Sequence, residues 1–182
     1  MTPIYNQFDY IKIDAERIDS ACDAYFKWKD LNTYLKNNSH RGMNMPDAIS
    51  EPIGCYCLDL LWNRGDKAGD ATDPKDGRKI EFKATSRFEG DLSSFGPKCR
   101  FDDLVFLRFK LDDNQLWVYD LKINSNDLGN LPVNKKEVVK QQQEQGRRPR
   151  ISLYDLFVKN TDRKPDIIFD IRKCKIIKDN RD

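Results

Sequence analysis

Asp70 and Glu81-Phe82-Lys83 stand on either side of Asp73-Pro74-Lys75-Asp76-Gly77, a run with strong turn chemistry. Residues 78–85 alternate as a strand should. Ile80, Phe82 and Ala84 point to one face, and Glu81, Lys83 and Thr85 to the other. A preceding strand over about 68–73 completes a hairpin. If 74–77 form a four-residue loop, Asp70 lies opposite Glu81; if Asp76-Gly77 is a two-residue loop, Asp70 lies opposite Lys83. Both registers place Asp70 on the face of Glu81 and Lys83, and Asp73 on the other face. Only an odd-length loop or a bulge reverses this. Two close carboxylates repel each other, and a hard divalent cation relieves the repulsion. Oxygen ligands without Cys or His suit Mg²⁺ or Mn²⁺. An ammonium beside them can orient an attacking water and stabilise charge as a phosphate is attacked. The plain alternative is a solvated, charged strand face, the usual origin of a lone acid followed by Glu-x-Lys.

The rest of the composition narrows the chemistry. There is one histidine, His40, in a polar loop without a nucleophile motif, so His-based triads and ββα-metal nucleases are excluded. Acid–base work falls to carboxylates and lysines. The five cysteines (Cys22, Cys55, Cys57, Cys99 and Cys174) are odd in number and scattered, which reads as a reduced protein with small buried thiols. A zinc site would need further Cys or His at ligand spacing, and none follows. The chain has 182 residues, is 38% hydrophobic and 34% charged, and suits one domain over 1–182. Met1-Thr2-Pro3-Ile4-Tyr5-Asn6 has no basic region leading into an apolar stretch, and no apolar run is long enough to span a bilayer. A cytoplasmic protein without membrane contact is expected. Net charge is uneven: −1 over 1–50, −3 over 51–133 and +6 over 134–182. A basic final third beside an acidic middle suits a polyanion binder with a cation at its centre; the alternative is a solvated helix and tail rich in lysine.

The positioning elements follow from periodicity. Residues 14–37 read as a helix through Ile18, Ala21, Cys22, Tyr25, Trp28 and Leu35. A loop over 37–46 precedes a second helix, with Ser50 as its cap and Pro52 in its first turn, running to about Trp62 and closed by Asn63-Arg64-Gly65. After the hairpin and a Gly/Ser-rich loop, 104–109 and 116–119 read as strands about Asp112-Asp113-Asn114. A helix over 134–145, an ambiguous stretch at 151–158 and a last strand over 167–171 complete the chain. This order predicts an α/β (α+β) fold, a mixed central sheet flanked by helices.

Asp70 followed by Glu81-Phe82-Lys83 resembles the PD-(D/E)xK nuclease superfamily, whose core is an acid on one strand and Glu-x-Lys on the next. Gly69 stands where that family often has proline. Ser93-Ser94-Phe95-Gly96-Pro97 and Phe101-Asp102-Asp103-Leu104-Val105-Phe106-Leu107 are similar to small type II restriction endonucleases, including enzymes cutting sites of GC-N-GC type. The resemblance covers about 50–120, taken as the catalytic core. It implies a restriction-endonuclease-like fold and a Mg²⁺-dependent endonuclease, with Mn²⁺ as substitute and no organic cofactor. It also implies cleavage of double-stranded DNA at a short palindromic site, leaving 5′-phosphate and 3′-hydroxyl ends. Asp70, Glu81 and the Phe82 carbonyl would bind metal, Lys83 would position or activate the water, and Glu51 on the preceding helix would assist. Gly54 would let that helix pack closely. One active site per chain and two strands to cut imply a homodimer. Candidate DNA contacts are Asn38, Ser39, His40, Arg41 and Asn44 in the first loop, and Thr85, Ser86, Arg87, Ser93, Ser94, Lys98 and Arg100 after the active strand. Arg147, Arg148 and Arg150 add a basic cluster; for each residue the alternative is a solvated surface. Two rival functions remain: a structure-specific repair or recombination nuclease of the same fold, and a nucleic-acid-binding module without catalysis.

Overall fold

The computed structural model describes residues 9–39, 41–64 and 69–181. Its spine is an eight-stranded sheet. In chain order the strands are β1 (Tyr10–Lys12), β2 (Leu61–Asn63), β3 (Ala71–Thr72), β4 (Lys79–Thr85), β6 (Asp103–Lys110), β7 (Gln115–Asp120), β9 (Ile167–Asp170) and β10 (Lys175–Asp179), and they also lie in that order across the sheet. Every pairing is antiparallel except β4 with β6, where Glu81 lies beside Leu104 and Lys83 beside Phe106. A parallel pair needs a long crossover. Here the crossover carries β5 (Ser93–Ser94), which pairs outside the main sheet with β8 (Arg150–Ile151). The expected mixed sheet with flanking helices is the fold observed.

β6 separates two cores by simple alternation. Val105, Leu107 and Phe109 face one, beneath α1 (Ala15–Ser39) and α2 (Asp47–Leu58); Leu104 and Phe106 face the other, with Phe95, Leu128, Val139 and Leu153. β4 repeats the pattern. Ile80 and Phe82 are buried in the helix-covered core, so Glu81 and Lys83 take the second face. Gly54 lets α2 come down onto that strand: a Cβ there would stand 3.0 Å from Leu107 Cδ1 and 3.1 Å from Phe82 Cζ. Cys22, Cys55 and Cys57 are buried, small apolar fillers as expected.

Several expected boundaries are corrected. α1 runs through Ser39, so Asn38 and Ser39 are helical; their side chains donate to Tyr34 O at 2.7 Å and Leu35 O at 2.8 Å, extending the helix past the expected loop. α2 begins at Asp47, after Pro46, because Met45, Ile49 and Ile53 continue its apolar face upstream. Ser50 is therefore not the cap. It is buried and donates back to Pro46 O at 3.3 Å, and Pro52 lies inside the helix. α2 stops at Leu58, where Asp59 adopts a left-handed conformation (φ 56°). Leu61-Trp62 then pairs with β1 and β3 as a strand, since a short apolar run goes wherever a sheet partner is available. Of the helix expected over 134–145 only α4 (Val139–Glu144) forms; Asn134 Oδ1 accepts from Lys136 N and Glu137 N and turns the chain before it. The ambiguous stretch 151–158 enters a π-helical turn, Asp155–Lys159. α3 (Ser125–Gly129) and β10 were not among the expected elements. The expected close of the second helix at Gly65, the start of the first hairpin strand at Ala68 and the candidate His40 lie outside the described residues.

Candidate active site

The hairpin takes the four-residue-loop register. Ala71 pairs with Ile80 and Thr72 with Lys79, which puts Asp73 opposite Arg78 and Asp70 opposite Glu81. Asp73 N donates to Arg78 O at 2.9 Å, and Asp73 Oδ2 accepts from the Arg78 guanidinium at 3.1 Å. Arg78 also bonds Asp76 and Asp103, so Asp73 is part of an ion-pair group of its own.

Asp70 is clasped to β4 twice. Its N–H donates to Ile80 O at 2.8 Å, and its Oδ2 accepts the Phe82 N–H at 2.7 Å. The carboxylate thus takes the ladder position beyond the last β3 pair. The N–H and C=O of one strand residue point to the same neighbour, so the Phe82 carbonyl also faces Asp70. Asn63 at the end of β2 fixes the corner: its N–H donates to Asp70 O at 3.0 Å and its Nδ2 to Gly69 O at 3.1 Å, while Thr72 Oγ1 donates to its Oδ1 at 3.0 Å. Gly69 has φ +80°, a conformation closed to proline, which accounts for its place before the acid.

Lys83 Nζ donates to Glu81 Oε1 at 2.5 Å and lies 5.3 Å from the centre of the buried Phe95 ring. Glu51, on the second turn of α2, accepts the Trp62 indole N–H on Oε2 at 2.7 Å. Glu51, Trp62, Asn63 and Asp70 line one open cleft; Glu81, Lys83, Ser94, Lys98, Cys99 and Arg148 line another, of about 490 Å³. Asp70, Glu81, Lys83 and Glu51 thus line two clefts, yet Asp70 lies opposite Glu81 in the hairpin and feels the charges of Glu81, Glu51 and Lys83. The structure adds residues to which the sequence assigned no role in the site: Trp62 and Asn63, expected at the end of a helix; Phe95, quoted within Ser93-Ser94-Phe95-Gly96-Pro97 but not singled out; and Cys99, a lone thiol.

The electrostatics show carboxylates crowded out of water. Burial, then the charges of Glu81 and Glu51, push the Asp70 carboxyl up to about 7, against the Phe82 hydrogen bond and Lys83. Burial also raises Glu51, opposed by the Trp62 hydrogen bond. Burial works against the charge of Lys83, but Glu81 and Asp70 outweigh it and hold the amine above the ordinary lysine range. The Cys99 thiol is pushed up to about 12 by burial and by Glu81, so it stays a neutral wall of the groove.

Among the described residues no three His, Cys, Asp or Glu side chains stand together as a cation cage. Two acids and a backbone carbonyl remain, which suits a hard ion that keeps several waters better than a closed structural site. Asp70 Oδ1 and Glu51 Oε1 carry no hydrogen bond among the described residues. Free carboxylate oxygens on repelling, desolvated acids are the donor chemistry such an ion completes.

The other candidates separate by geometry. Ser94, Lys98 and Arg148 line the groove of Glu81 and Lys83. Thr85, Ser86 and Arg87 lead out of β4. Thr85 Oγ1 accepts from Arg87 N at 3.1 Å, and the loop is held by Arg108, a buried guanidinium donating to Phe88 O and to Tyr119 Oη at 2.9 Å. Ser93 is buried with its hydroxyl donating to Asp91 Oδ2 at 2.6 Å. Arg100 lines a separate polar pocket with Lys79, Asp102 and Asn124. Arg147 is paired with Glu137 at 2.9 Å, a contact that holds the Glu137 carboxyl down to about 2. Arg150 lies on β8 opposite Ser94, and Arg41 and Asn44 are exposed before α2.

The model of the family described as Bsp6I restriction endonuclease matches residues 13–160, which include the whole site. The chain belongs to the Bsp6I restriction endonuclease family. A relative described as "Type II restriction enzyme Bsp6I", from Bacillus sp. (strain RFL6), is 44% identical over 170 residues, 93% of this chain and 97% of the relative. No solved structure matches. Membership in the Bsp6I family makes the chain a type II restriction endonuclease, an enzyme, as its motifs implied. Among the described residues no helix is long and apolar enough to cross a membrane.

Proposed function

We propose that this Bsp6I-family chain hydrolyses double-stranded DNA at a short palindromic site, in a Mg²⁺-dependent reaction that leaves 5′-phosphate and 3′-hydroxyl ends, with Mn²⁺ able to substitute. The observation that carries this reading is the hairpin itself, which brings Asp70 opposite Glu81 with Lys83 hydrogen-bonded beside them.

Asp70, Glu81 and the Phe82 carbonyl would hold the ion, with Glu51 assisting from α2. When bound, the ion neutralises the paired acids and draws charge from the phosphate under attack. Lys83 keeps its proton at Nζ. It therefore acts as a donor that orients the water and meets developing charge on a phosphate oxygen. Phe95 walls it from solvent on one side. The Trp62 indole favours the charged form of Glu51 where burial opposes it. DNA would run along the groove past Ser94, Lys98 and Arg148. A palindrome cut on both strands needs two such sites, hence a homodimer.

The test is plasmid DNA incubated with and without Mg²⁺, followed by sequencing of the fragment ends. Discrete fragments with one sequence at every end are expected only with the ion, and GC-N-GC is the first pattern to seek. A smear, or nicking confined to branched DNA, would replace this reading with a structure-specific nuclease. Retarded but uncut DNA would replace it with a binding module.

A further inference from the structure

The segment Gly146-Arg147-Arg148-Pro149-Arg150 offers three guanidinium groups in three different situations. Arg147 is tied to Glu137 Oε1 at 2.9 Å and Gln145 Oε1 at 2.8 Å. Arg150 sits on β8, in register with Ser94. Arg148 is exposed, has no hydrogen bond or ion pair among the described residues, and lines the groove that holds Glu81 and Lys83.

Its backbone is nonetheless fixed. Phe95 N donates to Pro149 O at 3.0 Å, Gln143 Nε2 donates to Gly96 O at 2.8 Å, and β5 pairs with β8 just beyond. A Cβ added at Gly96 would come 3.8 Å from Arg148 Nη2, so the guanidinium passes over a residue without a side chain.

Charge within the groove sharpens the point. Lys83 is already paired with Glu81, so the uncommitted positive charge there comes from Arg148 and Lys98. Lys98 is a single exposed ammonium on a flexible stem. Arg148 offers a planar fork of donors matched to two oxygens of one phosphate, from a tethered backbone.

We propose that Arg148 is a further catalytic residue of this site, gripping the non-bridging oxygens of the phosphate under attack, while Lys98 contacts the neighbouring backbone only. The assignment rests on the DNA-cleaving role proposed above for Glu81 and Lys83. A fork on those oxygens meets more negative charge as the water adds than it does in bound DNA. Its loss must therefore slow the chemical step more than it weakens binding.

The experiment uses the plasmid DNA of the cleavage test above. Single-turnover cleavage is followed at saturating enzyme with Mg²⁺, and DNA affinity is measured with Ca²⁺ in its place. Arg148→Ala is expected to cut on the order of 10²-fold more slowly or worse while its Kd changes less than about tenfold. Arg148→Lys, which keeps the charge but loses the fork, should fall between the two. Lys98→Ala should act mainly by raising Kd. Arg148→Gln gives the same reading if the alanine variant does not accumulate. Saturated cleavage by Arg148→Ala within about threefold of wild type, whatever its Kd, would overturn the assignment, since one lost transition-state contact costs far more than that. Failure of the wild-type chain to cut at all would instead overturn the role proposed for the whole site.

Discussion

The indole of Trp62 holds the carboxylate of Glu51 at 2.7 Å, joining β2 to α2 at the edge of the cleft that Asp70 lines. Burial raises the Glu51 carboxyl, while this bond and the charge of Lys83 favour its ionised form. Trp62→Phe keeps the ring but removes the donor. The half-buried acid then loses its hydrogen-bond partner, at a cost of about 1–3 kcal/mol. We expect cleavage to fall about tenfold, as for partners that orient metal-binding carboxylates, and the Mg²⁺ needed for half-maximal rate to rise. A Mg²⁺ titration of the cleavage rate checks this; a curve that overlays wild type removes Trp62 from the site.

Asp70 makes the site a source of instability in the metal-free chain. Its folded-state value is near 7, against the ordinary 3.8 that the unfolded chain would show. Between those values the folded chain binds a proton that the unfolded chain has released, so stability falls as pH rises from about 4 to 7 and stays lower above that. Asp70→Asn removes the effect. We expect the metal-free variant to melt several degrees above wild type at pH 8, at about 2–4 °C for each kcal/mol, and to lose the advantage near pH 4. Mg²⁺ should raise the melting temperature of wild type far more than that of the variant. Thermal melts at both pH values, with and without Mg²⁺, test all three effects. The variant should not cut DNA.

The face shared by Asp70, Glu81 and Lys83 was legible because period-two alternation survives either even-length turn, and the turn residues 73–77 were unmistakable. β6 and β7 were legible as apolar runs about a polar turn. The end of α2 was not. Leu60-Leu61-Trp62 suits a helix face as well as a strand, and only the pairing partners Tyr10–Lys12 and Ala71–Thr72, distant in sequence, decide it. Trp62 was hidden for that reason. The arginines of 147–150 look equivalent in sequence; Glu137, ten residues upstream of Arg147, separates them.

Lys83 and Asp73 provide a paired control. Lys83→Ala leaves Glu81 without its hydrogen bond and the water without a donor, so cleavage should drop about 10²–10⁴-fold, while DNA binding measured in Ca²⁺ stays close to wild type. Asp73→Ala leaves Arg78 bonded to Asp76 and Asp103 on the opposite face, and should cost less than tenfold in rate. Asp70→Ala should be as severe as Lys83→Ala. Equal losses at Asp70 and Asp73 would mean that the two acids serve one site.

Gly69 sets the direction of Asp70. With φ +80° and Ile80 O only 3.0 Å from any added Cβ, the position strains every other residue and excludes proline. Gly69→Ala should cost about 1–3 kcal/mol of stability and shift the corner that Asn63 grips from the other side. Because Asp70 follows immediately, the Phe82 hydrogen bond moves with it, and cleavage should fall further than a melting shift of that size explains. Measuring rate well below the variant's melting temperature separates the two effects. Full activity there would show that Asp70 reaches its place without the left-handed turn.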